Sequence, residues 1–249
     1  VRRSNATLQP AQPIPAIVGP TASGKSELGL HLALAFNGEI INLDSVQVYQ
    51  GIYIATAKVP PAERRGVPHH LIDIAEPTEN FTAGDYAQVA AQTIGEVEAR
   101  GHTAMLVGGS GFYLRALVKP LFEGPRTNAE FRERLVGLRD QRGAEHLHRL
   151  LERVDPLAAG KISPRDWSRT MRALEVYFQT GRRISELRSG VPAPPEFAAR
   201  IRVIALNPPR QELYANINRR ADSMFVGGLV EEVESLIASG VPASAKAFG

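Results

Sequence analysis

A glycine-rich segment near the start of the chain contains the residues best suited to holding phosphate. Residues 19–26 read GPTASGKS and match the pattern G-x-x-x-x-G-K-[ST], with an apolar run before them and helical leucine spacing after them. Backbone N–H groups of such a loop surround an anion, and the helix N-terminus adds partial positive charge. The lysine contacts phosphate and the last hydroxyl a Mg²⁺ ion. We therefore predict a phosphate cradle formed by Gly19, Pro20, Thr21, Ala22, Ser23, Gly24, Lys25 and Ser26, with Ser26 as the magnesium ligand.

One acidic residue is predicted to lie beside this cradle. Proteins that hydrolyse ATP usually place a magnesium-binding aspartate after an apolar strand, but the apolar run 103–107 leads into Gly108, Gly109 and Ser110 instead. Only Asp44 closes an early apolar run, at 39–43. A lone loop carboxylate is more often a helix cap or a solvated acid. This position also suits a carboxylate that binds the ligands of a magnesium ion, or a general base.

The order of apolar and helical segments predicts an α/β fold. Strands that alternate with helices imply a parallel sheet whose active groups lie at the carboxyl ends of its strands. Polar helices rich in Arg and Glu then interrupt this alternation, which indicates an inserted helical module. We predict strands at 15–19, 39–43, 70–74, 103–107 and 201–206, and helices at 27–36, 82–100, 128–142, 144–153, 166–179 and from 210 to 240.

Composition and charge narrow the function. The 249 residues are 43% hydrophobic and include no cysteine, which excludes disulfides and thiolate chemistry and favours a cytoplasmic location. No apolar run or signal-like segment indicates a membrane or secreted protein. Residues 120–209 contain 16 Lys and Arg against 11 Asp and Glu, whereas 1–119 contain 9 against 10 and 210–249 contain 4 against 5. A basic excess confined to one segment is suited to a polyanion such as RNA, although a solvated helical face of mixed charge has the same composition.

Six motifs occur in the order found in one enzyme family. They are GPTASGKS at 19–26, DSVQVYQG at 44–51 followed by TAK at 56–58, HHLID at 69–73, GGSGFYL at 108–114, RALEVY at 172–177 and INRRADSM at 217–224. With these motifs the chain resembles the tRNA dimethylallyltransferases over nearly its whole length from Ile14. The resemblance implies a P-loop core like that of nucleotide kinases, with dimethylallyl diphosphate bound where a kinase binds ATP. It also implies prenylation of the exocyclic amine of the adenosine 3′ to the anticodon.

The same resemblance implies roles for individual residues. Asp44 would be the general base, Thr21, Lys25 and the loop amides would hold the diphosphate, and Arg220 would neutralise the departing group. The partners implied are dimethylallyl diphosphate, Mg²⁺ and the anticodon stem-loop of tRNA, with no membrane and a monomer as the acting unit. Positions aligned with tRNA contacts are Asp44, Ser45, Val46, Gln47, Ser110, Arg132, Ser168, Arg169, Thr170, Met171 and Arg172.

We expect four segments: a flexible tail at 1–13, the first part of the core at 14–119, a helical tRNA-binding insert at 120–200, and the rest of the core at 201–249, incomplete at its C-terminus. The family's usual D-I-G-T-A-K occurs here as YIATAK at 53–58, and Ser110 replaces a threonine. The adjacent His69 and His70 point apart on a strand, so a zinc site is not expected.

Three alternatives remain open from the residues alone. A nucleotide or metabolite kinase uses the same loop on ATP, and the Arg-rich insert could form its lid. An adenylate isopentenyltransferase uses the same donor on free nucleotides, although it has no need of a basic platform. A non-catalytic RNA-binding protein could also retain the loop.

Overall fold

The fold is given by a computed structural model that describes residues 12–248. Most of the tail predicted at 1–13 therefore lies outside the described residues. The chain divides into two compact units: the segment Pro120–Ala193 forms one, and the described residues on either side of it form the other. The insert was predicted at 120–200, whereas the compact unit ends seven residues earlier, because residues Glu196–Arg200 form a 3-10 helix that leads into a strand of the sheet.

The first unit is built on a five-stranded sheet in which every pair of neighbours is parallel. The order of the strands is β3-β2-β4-β1-β5, so the first and second strands are separated by the fourth. This arrangement confirms the predicted α/β class. The strands are β1 (Ile14–Val18), β2 (Gly38–Asn42), β3 (His69–His70), β4 (Thr103–Gly108) and β5 (Ile201–Ala205).

Helices connect these strands and cover the sheet. All five residues of β2 are buried, as expected for a strand with neighbours on both sides. A capping box begins the second helix, since Thr82 Oγ1 accepts from Asp85 N (3.2 Å) and Asp85 Oδ2 accepts from Thr82 N (2.9 Å). The helices of this unit are α1 (Lys25–Ala35), α2 (Ala83–Ala99), α3 (Gly111–Val118), α9 (Arg210–Val226) and α10 (Leu229–Ala238).

The second unit is helical and has its own apolar core. Leu147, Leu151 and Leu174 are fully buried in it. Asp166 begins one of its helices by accepting a hydrogen bond from Arg169 N (3.1 Å), and Gly181 ends that helix in the left-handed conformation (φ 68°). The helices are α4 (Ala129–Arg142), α5 (Ala144–Val154), α6 (Pro156–Ala159), α7 (Trp167–Thr180) and α8 (Ile184–Ser189).

Two predicted elements were wrong in detail. The strand expected at 70–74 is only two residues long, because the chain turns away at Leu71 and Asp73, which have positive φ values of 60° and 56°. The helical segment expected from 210 to 240 is divided into α9 and α10 at Gly227 and Gly228, the latter with φ 96°. Both interruptions lie next to the site described below.

Candidate active site

The predicted phosphate loop lies between β1 and α1. Gly24 is left-handed (φ 86°, ψ 11°) and directly precedes α1, a conformation that glycine adopts without steric cost. The loop thereby places the free N–H groups of the first helical turn at the carboxyl edge of the sheet, where an anion can bind. The Ser23 hydroxyl of this loop is buried and lacks a hydrogen-bond partner among residues 12–248.

Lys25 supplies the positive charge of the loop. Its Nζ donates to Pro20 O (2.6 Å), so the ammonium group lies over the loop itself. Burial lowers the pKa of Lys25, the negative charge of Asp44 acts in the opposite direction, and Arg220 adds to the lowering. The structure therefore brings these three predicted residues within electrostatic range of one another.

Asp44 lies two residues after the end of β2 and begins a tight turn. Its Oδ1 accepts hydrogen bonds from Val46 N (2.9 Å) and Gln47 N (3.4 Å), which fixes the carboxylate against its own turn. Neither bond uses Oδ2, and Asp44 lines a cavity. One oxygen is thus structural and the other is available to a ligand.

Asn42 supports this turn and was not predicted. It is 3% exposed, and its Oδ1 accepts from Asp44 N (3.0 Å). Its Nδ2 donates to Asp44 O (3.1 Å) and to Leu71 O (2.9 Å). An amide at the buried end of a strand, two residues before the acid, was the available sequence signal, because a buried polar side chain needs partners.

The end of β4 holds the same turn from the other side. Ser110 N donates to Leu43 O (3.0 Å), and Ser110 Oγ accepts from Ser45 N (2.8 Å) and lies 3.0 Å from Ser45 Oγ. A Cβ added at Gly108 would lie 2.2 Å from Leu43 O, so only glycine fits at this crossing. Ser110, predicted as a tRNA contact, therefore also positions the Asp44 turn.

Arg220 reaches the site from α9. Its Nη2 donates to Thr56 O over 3.5 Å, and the same carbonyl accepts from Gln47 Nε2 (3.0 Å). Gln47 was predicted to contact tRNA, yet its side chain is used within the site. Nearby, the buried Lys58 bonds to Tyr49 O and pairs with Asp73 (2.6 Å), so the TAK and HHLID motifs support one another.

A cavity of about 510 Å³ joins these groups. Its polar and charged lining residues are Thr21 of the phosphate loop, Asp44, Thr56 and Arg220. Such a cavity can hold a ligand with an anionic head and a short apolar tail. Its remaining wall is apolar and consists of Val46, Ala55, Val233, Ile237, Ala243, Ala247 and Phe248.

The helical unit contains the other residues predicted to contact tRNA. Arg132 and Arg172 both pair with the fully buried Glu175 (3.1 and 2.8 Å), so part of their charge is already neutralised. Ser168 and Arg169 are exposed at the start of α7.

The other two predicted contacts on α7 are buried. Thr170 is 0% exposed and Met171 5%, so their side chains pack inside the unit and do not present a surface to RNA. RNA contact by the exposed residues of this helix stays a prediction.

Two further structural findings concern metals and membranes. His70 Nε2 lies 2.5 Å from Glu39 Oε2, and across the described part of the chain no group of three or more His, Cys, Asp or Glu residues is placed to hold a metal. In the same residues, no helix combines the length and apolar character needed to cross a bilayer.

The motif G-x-x-x-x-G-K-S, in a loop between the first strand of a parallel sheet and the first helix, defines this chain as a P-loop protein. A family model described as IPP transferase matches residues 47–249. A tRNA dimethylallyltransferase of Solibacter usitatus is 48% identical over 244 residues, which are 95% of this chain and 76% of the relative. One from Geobacter metallireducens is 44% identical over 233 residues, covering 94% and 75%.

Solved structures give the same result. The full-length tRNA isopentenylpyrophosphate transferase of Bacillus halodurans has a TM-score of 0.63 at 37% identity, covering 95% of this chain and 73% of that one. A eukaryotic dimethylallyltransferase acting on tRNA has a TM-score of 0.76 at 29% identity, covering 92% and 56%. The chain belongs to the IPP transferase family.

Proposed function

We propose that this chain transfers the dimethylallyl group of dimethylallyl diphosphate to the exocyclic N6 amine of the adenosine 3′ to the anticodon in tRNA, and releases diphosphate. The observation that carries the proposal is the single cavity in which a phosphate-loop residue, a carboxylate, an arginine and an apolar wall meet. Family membership and the relatives named tRNA dimethylallyltransferase support the same reaction.

The polar and charged residues that line the cavity suit the diphosphate. An allylic C–O bond breaks readily only when the charge that grows on the leaving oxygen is stabilised. Lys25 and Arg220, together with the loop amides, can supply that stabilisation. Thr21, which lines the cavity, would contribute a hydroxyl donor.

The apolar wall suits the five-carbon group. Val233 and Ile237 of α10, with Val46 of the Asp44 turn, offer side chains to an isoprenoid and would exclude water from the allylic carbon. A nucleoside triphosphate has a polar sugar and base where this wall is apolar, which favours an isoprenoid donor over ATP.

Asp44 would act as the general base. In the transfer step the N6 nitrogen forms a bond to C1 of the dimethylallyl group, the C1–O bond breaks, and its electron pair leaves with diphosphate. The proton lost from the amine moves to Asp44, whose Oδ2 is not used by the bonds that fix its turn. Ser110 and Asn42 hold that turn in place.

A Mg²⁺ ion fits this donor set. Mg²⁺ is commonly held by one or two protein oxygens together with substrate phosphates and waters, and it would add charge stabilisation at the leaving group. Ser26, exposed at the start of α1, is the protein oxygen we assign to it. A cage made only of protein side chains is not needed.

The acceptor would be held by the basic segment. The adenine has to leave the anticodon-loop stack, which costs a few kcal/mol, and phosphate contacts by exposed arginines can supply that energy. Arg169 at the start of α7 has a side chain that is 71% exposed and is the first residue we assign to this role. We also propose that the protein acts as a monomer in the cytoplasm.

The test is transfer of label. Incubating the protein with dimethylallyl diphosphate labelled in the prenyl group, Mg²⁺ and unmodified tRNA should give labelled RNA with the modification on the adenosine 3′ to the anticodon. A tRNA with guanosine at that position is the matched control and should stay unlabelled. An unlabelled parent tRNA would contradict the proposal.

Adding AMP as a competing acceptor, or ATP as a phosphate donor, tests the alternative activities. Label on AMP in preference to tRNA would favour an adenylate isopentenyltransferase. Transfer of phosphate from ATP without labelled RNA would favour a kinase. RNA binding without either transfer would favour a binding protein.

A further inference from the structure

A loop on the wall of the cavity is tied to α10 by one carboxylate. Glu232 Oε2 accepts from Tyr53 N (2.7 Å) and Ile54 N (2.9 Å), and Oε1 accepts from Ile54 N (3.1 Å) and Ala55 N (3.0 Å). Three consecutive backbone N–H groups that converge on one anion form a nest, a strong arrangement for binding negative charge. The anion here is a side chain from 177 to 179 positions further along the sequence.

The other end of the same loop holds the catalytic groups. Thr56 O accepts from both Arg220 Nη2 and Gln47 Nε2, while Thr56 Oγ1 donates to Ile52 O (2.7 Å) and closes the loop on itself. Ala55 and Thr56 line the cavity. A shift of the loop would therefore move the carbonyl that orients Arg220.

The loop is thus contacted by both helices that follow β5. Arg220 comes from α9 and Glu232 from α10, and the turn between these helices lies against Ile54, since a Cβ built at Gly228 would be 3.8 Å from Ile54 Cδ1. Val233, the residue after Glu232, lines the cavity. Glu232 therefore ties the amides of residues 53–55 to α10, and the same loop contacts Arg220 through Thr56 O.

We infer that Glu232 is a positioning residue: it binds the amide nest of residues 53–55 and thereby fixes the Thr56 carbonyl that orients Arg220 toward the leaving diphosphate. Glu232 does not line the cavity, so it acts through the loop. The kinetic part of this inference rests on the proposed function, whereas the binding of the nest does not.

A neighbouring acid on the same helix provides the control. Glu234 is exposed and makes no hydrogen bond or ion pair in the part of the chain that the structure describes. Both acids lie on α10 and have the same charge, so E234A reproduces the charge change of E232A without touching the nest. A difference between the two variants therefore reports the contact with the loop.

The experiment combines hydrogen exchange with a double-mutant cycle. In E232A the amides of residues 53–55 should exchange at least about 10-fold faster than in the parent, because they lose their acceptor, and kcat for prenyl transfer should fall about 30-fold, since a misplaced charge-stabilising group costs rate. E232Q keeps one carbonyl oxygen and should fall between E232A and the parent. E234A should match the parent in both measurements.

The cycle separates positioning from mere folding. If Glu232 acts through Arg220, then E232A added to R220A should lower kcat by less than about 3-fold, although it lowers kcat about 30-fold in the parent. Full additivity of the two changes would overturn the inference, as would parent-like exchange in E232A. Should E232A not fold, the same cycle is run with E232Q.

Failure of the proposed function gives a different result. A parent protein without prenyl transfer would contradict that function, while the exchange measurement and the affinity for inorganic diphosphate would still test the nest. In that case E232A should bind diphosphate more weakly than E234A if the inference holds, and equally if it does not.

Discussion

The two ends of β2 carry two acidic residues with opposite surroundings. Glu39, near its start, is 2% exposed and has both oxygens occupied: Arg100 donates twice (3.1 and 2.7 Å), His102 Nδ1 lies 2.6 Å from Oε1, and His70 Nε2 lies 2.5 Å from Oε2. Asp44, just past the end of the strand, has one oxygen fixed by backbone N–H groups and lines the cavity with the other unused.

The difference separates a carboxylate that stabilises the fold from one that is available for chemistry. Hydrogen bonds from Arg100 dominate at Glu39 and, together with the two histidines and against the opposing effect of burial, lower its pKa to about 2. A carboxyl group with such a low pKa is a poor proton acceptor. The acid that we propose as the general base therefore lies at the edge of the sheet where the phosphate loop also lies, a common place for active groups in parallel sheets.

The largest effect on activity is expected at Asp44, just past the end of β2. The change D44N preserves the shape of the side chain and its Oδ1 acceptor, but an amide cannot take the proton of the adenine amine. We expect kcat to fall about 10²–10⁴-fold, the usual contribution of a general base, with little change in tRNA affinity. Single-turnover prenylation and filter binding measure the two quantities. Parent-like turnover in D44N would remove the general-base assignment.

A change at Glu39, whose two oxygens are both hydrogen-bonded, should affect stability instead of activity. The change E39Q removes the charge that Arg100, His70 and His102 share, and we expect it to lower the free energy of unfolding by about 2 kcal/mol at neutral pH, within the range for hydrogen bonds to charged groups. Urea unfolding measures this loss. At a temperature where both proteins are folded, kcat should be within about 2-fold of the parent, given that distant sites are usually independent; a large loss of kcat would break the contrast between the two ends.

The pH dependence of this stability follows from the sign of the shift. Because the folded pKa of Glu39, about 2, lies below its ordinary value of 4.5, the unfolded chain binds the proton first. The stabilisation is complete above the unfolded value and is lost as pH falls from 4.5 toward 2. The difference in unfolding free energy between parent and E39Q should therefore shrink across that window, as measured by urea unfolding at successive pH values. A constant difference would contradict this assignment.

The smallest effect is expected on tRNA binding by the helical unit. There, one arginine is paired with a buried acid and another is exposed. Arg132 is paired with the buried Glu175, whereas Arg169 makes only a 3.4 Å contact with Asp166 at the surface. We expect R169A to weaken tRNA binding about 3- to 10-fold and to reduce the salt slope by about 1, with stability unchanged. The variant R134A is the control, because Arg134 pairs with Glu130 and was not predicted to contact RNA. Equal affinities and salt slopes for R169A and R134A would contradict the role of Arg169.

Local pattern was sufficient to predict most of the fold. The runs that became β1, β2, β4 and β5 are short, largely apolar and followed by turn residues, so their identity did not depend on distant contacts. The run at 70–74 is equally apolar but becomes a two-residue strand, because the Asn42 side chain holds Leu71 O and Gln47 O accepts from Asp73 N (3.3 Å). Those tertiary contacts cannot be recognised from the sequence of residues 70–74.

The candidate site was predictable where a motif states the chemistry. Lys25, Asp44 and Arg220 were found from motifs, and the structure brings them together. Asn42 and Glu232 were missed because each acts on backbone groups, and backbone donors and acceptors have no residue type to detect. The ion pair between Arg132 and Glu175 was missed for a related reason, since a sequence shows charge without showing which partner neutralises it.

The contact between Gly108 and Leu43 O has a consequence for the position of Asp44. A Cβ at residue 108 would come within 2.2 Å of that carbonyl, and a clash of Cβ with a main-chain oxygen cannot be relieved by rotating a side chain. Residue 108 must therefore be glycine for β4 to pass this close to Leu43. Because Leu43 immediately precedes Asp44, the change G108A should displace Asp44 from the wall of the cavity.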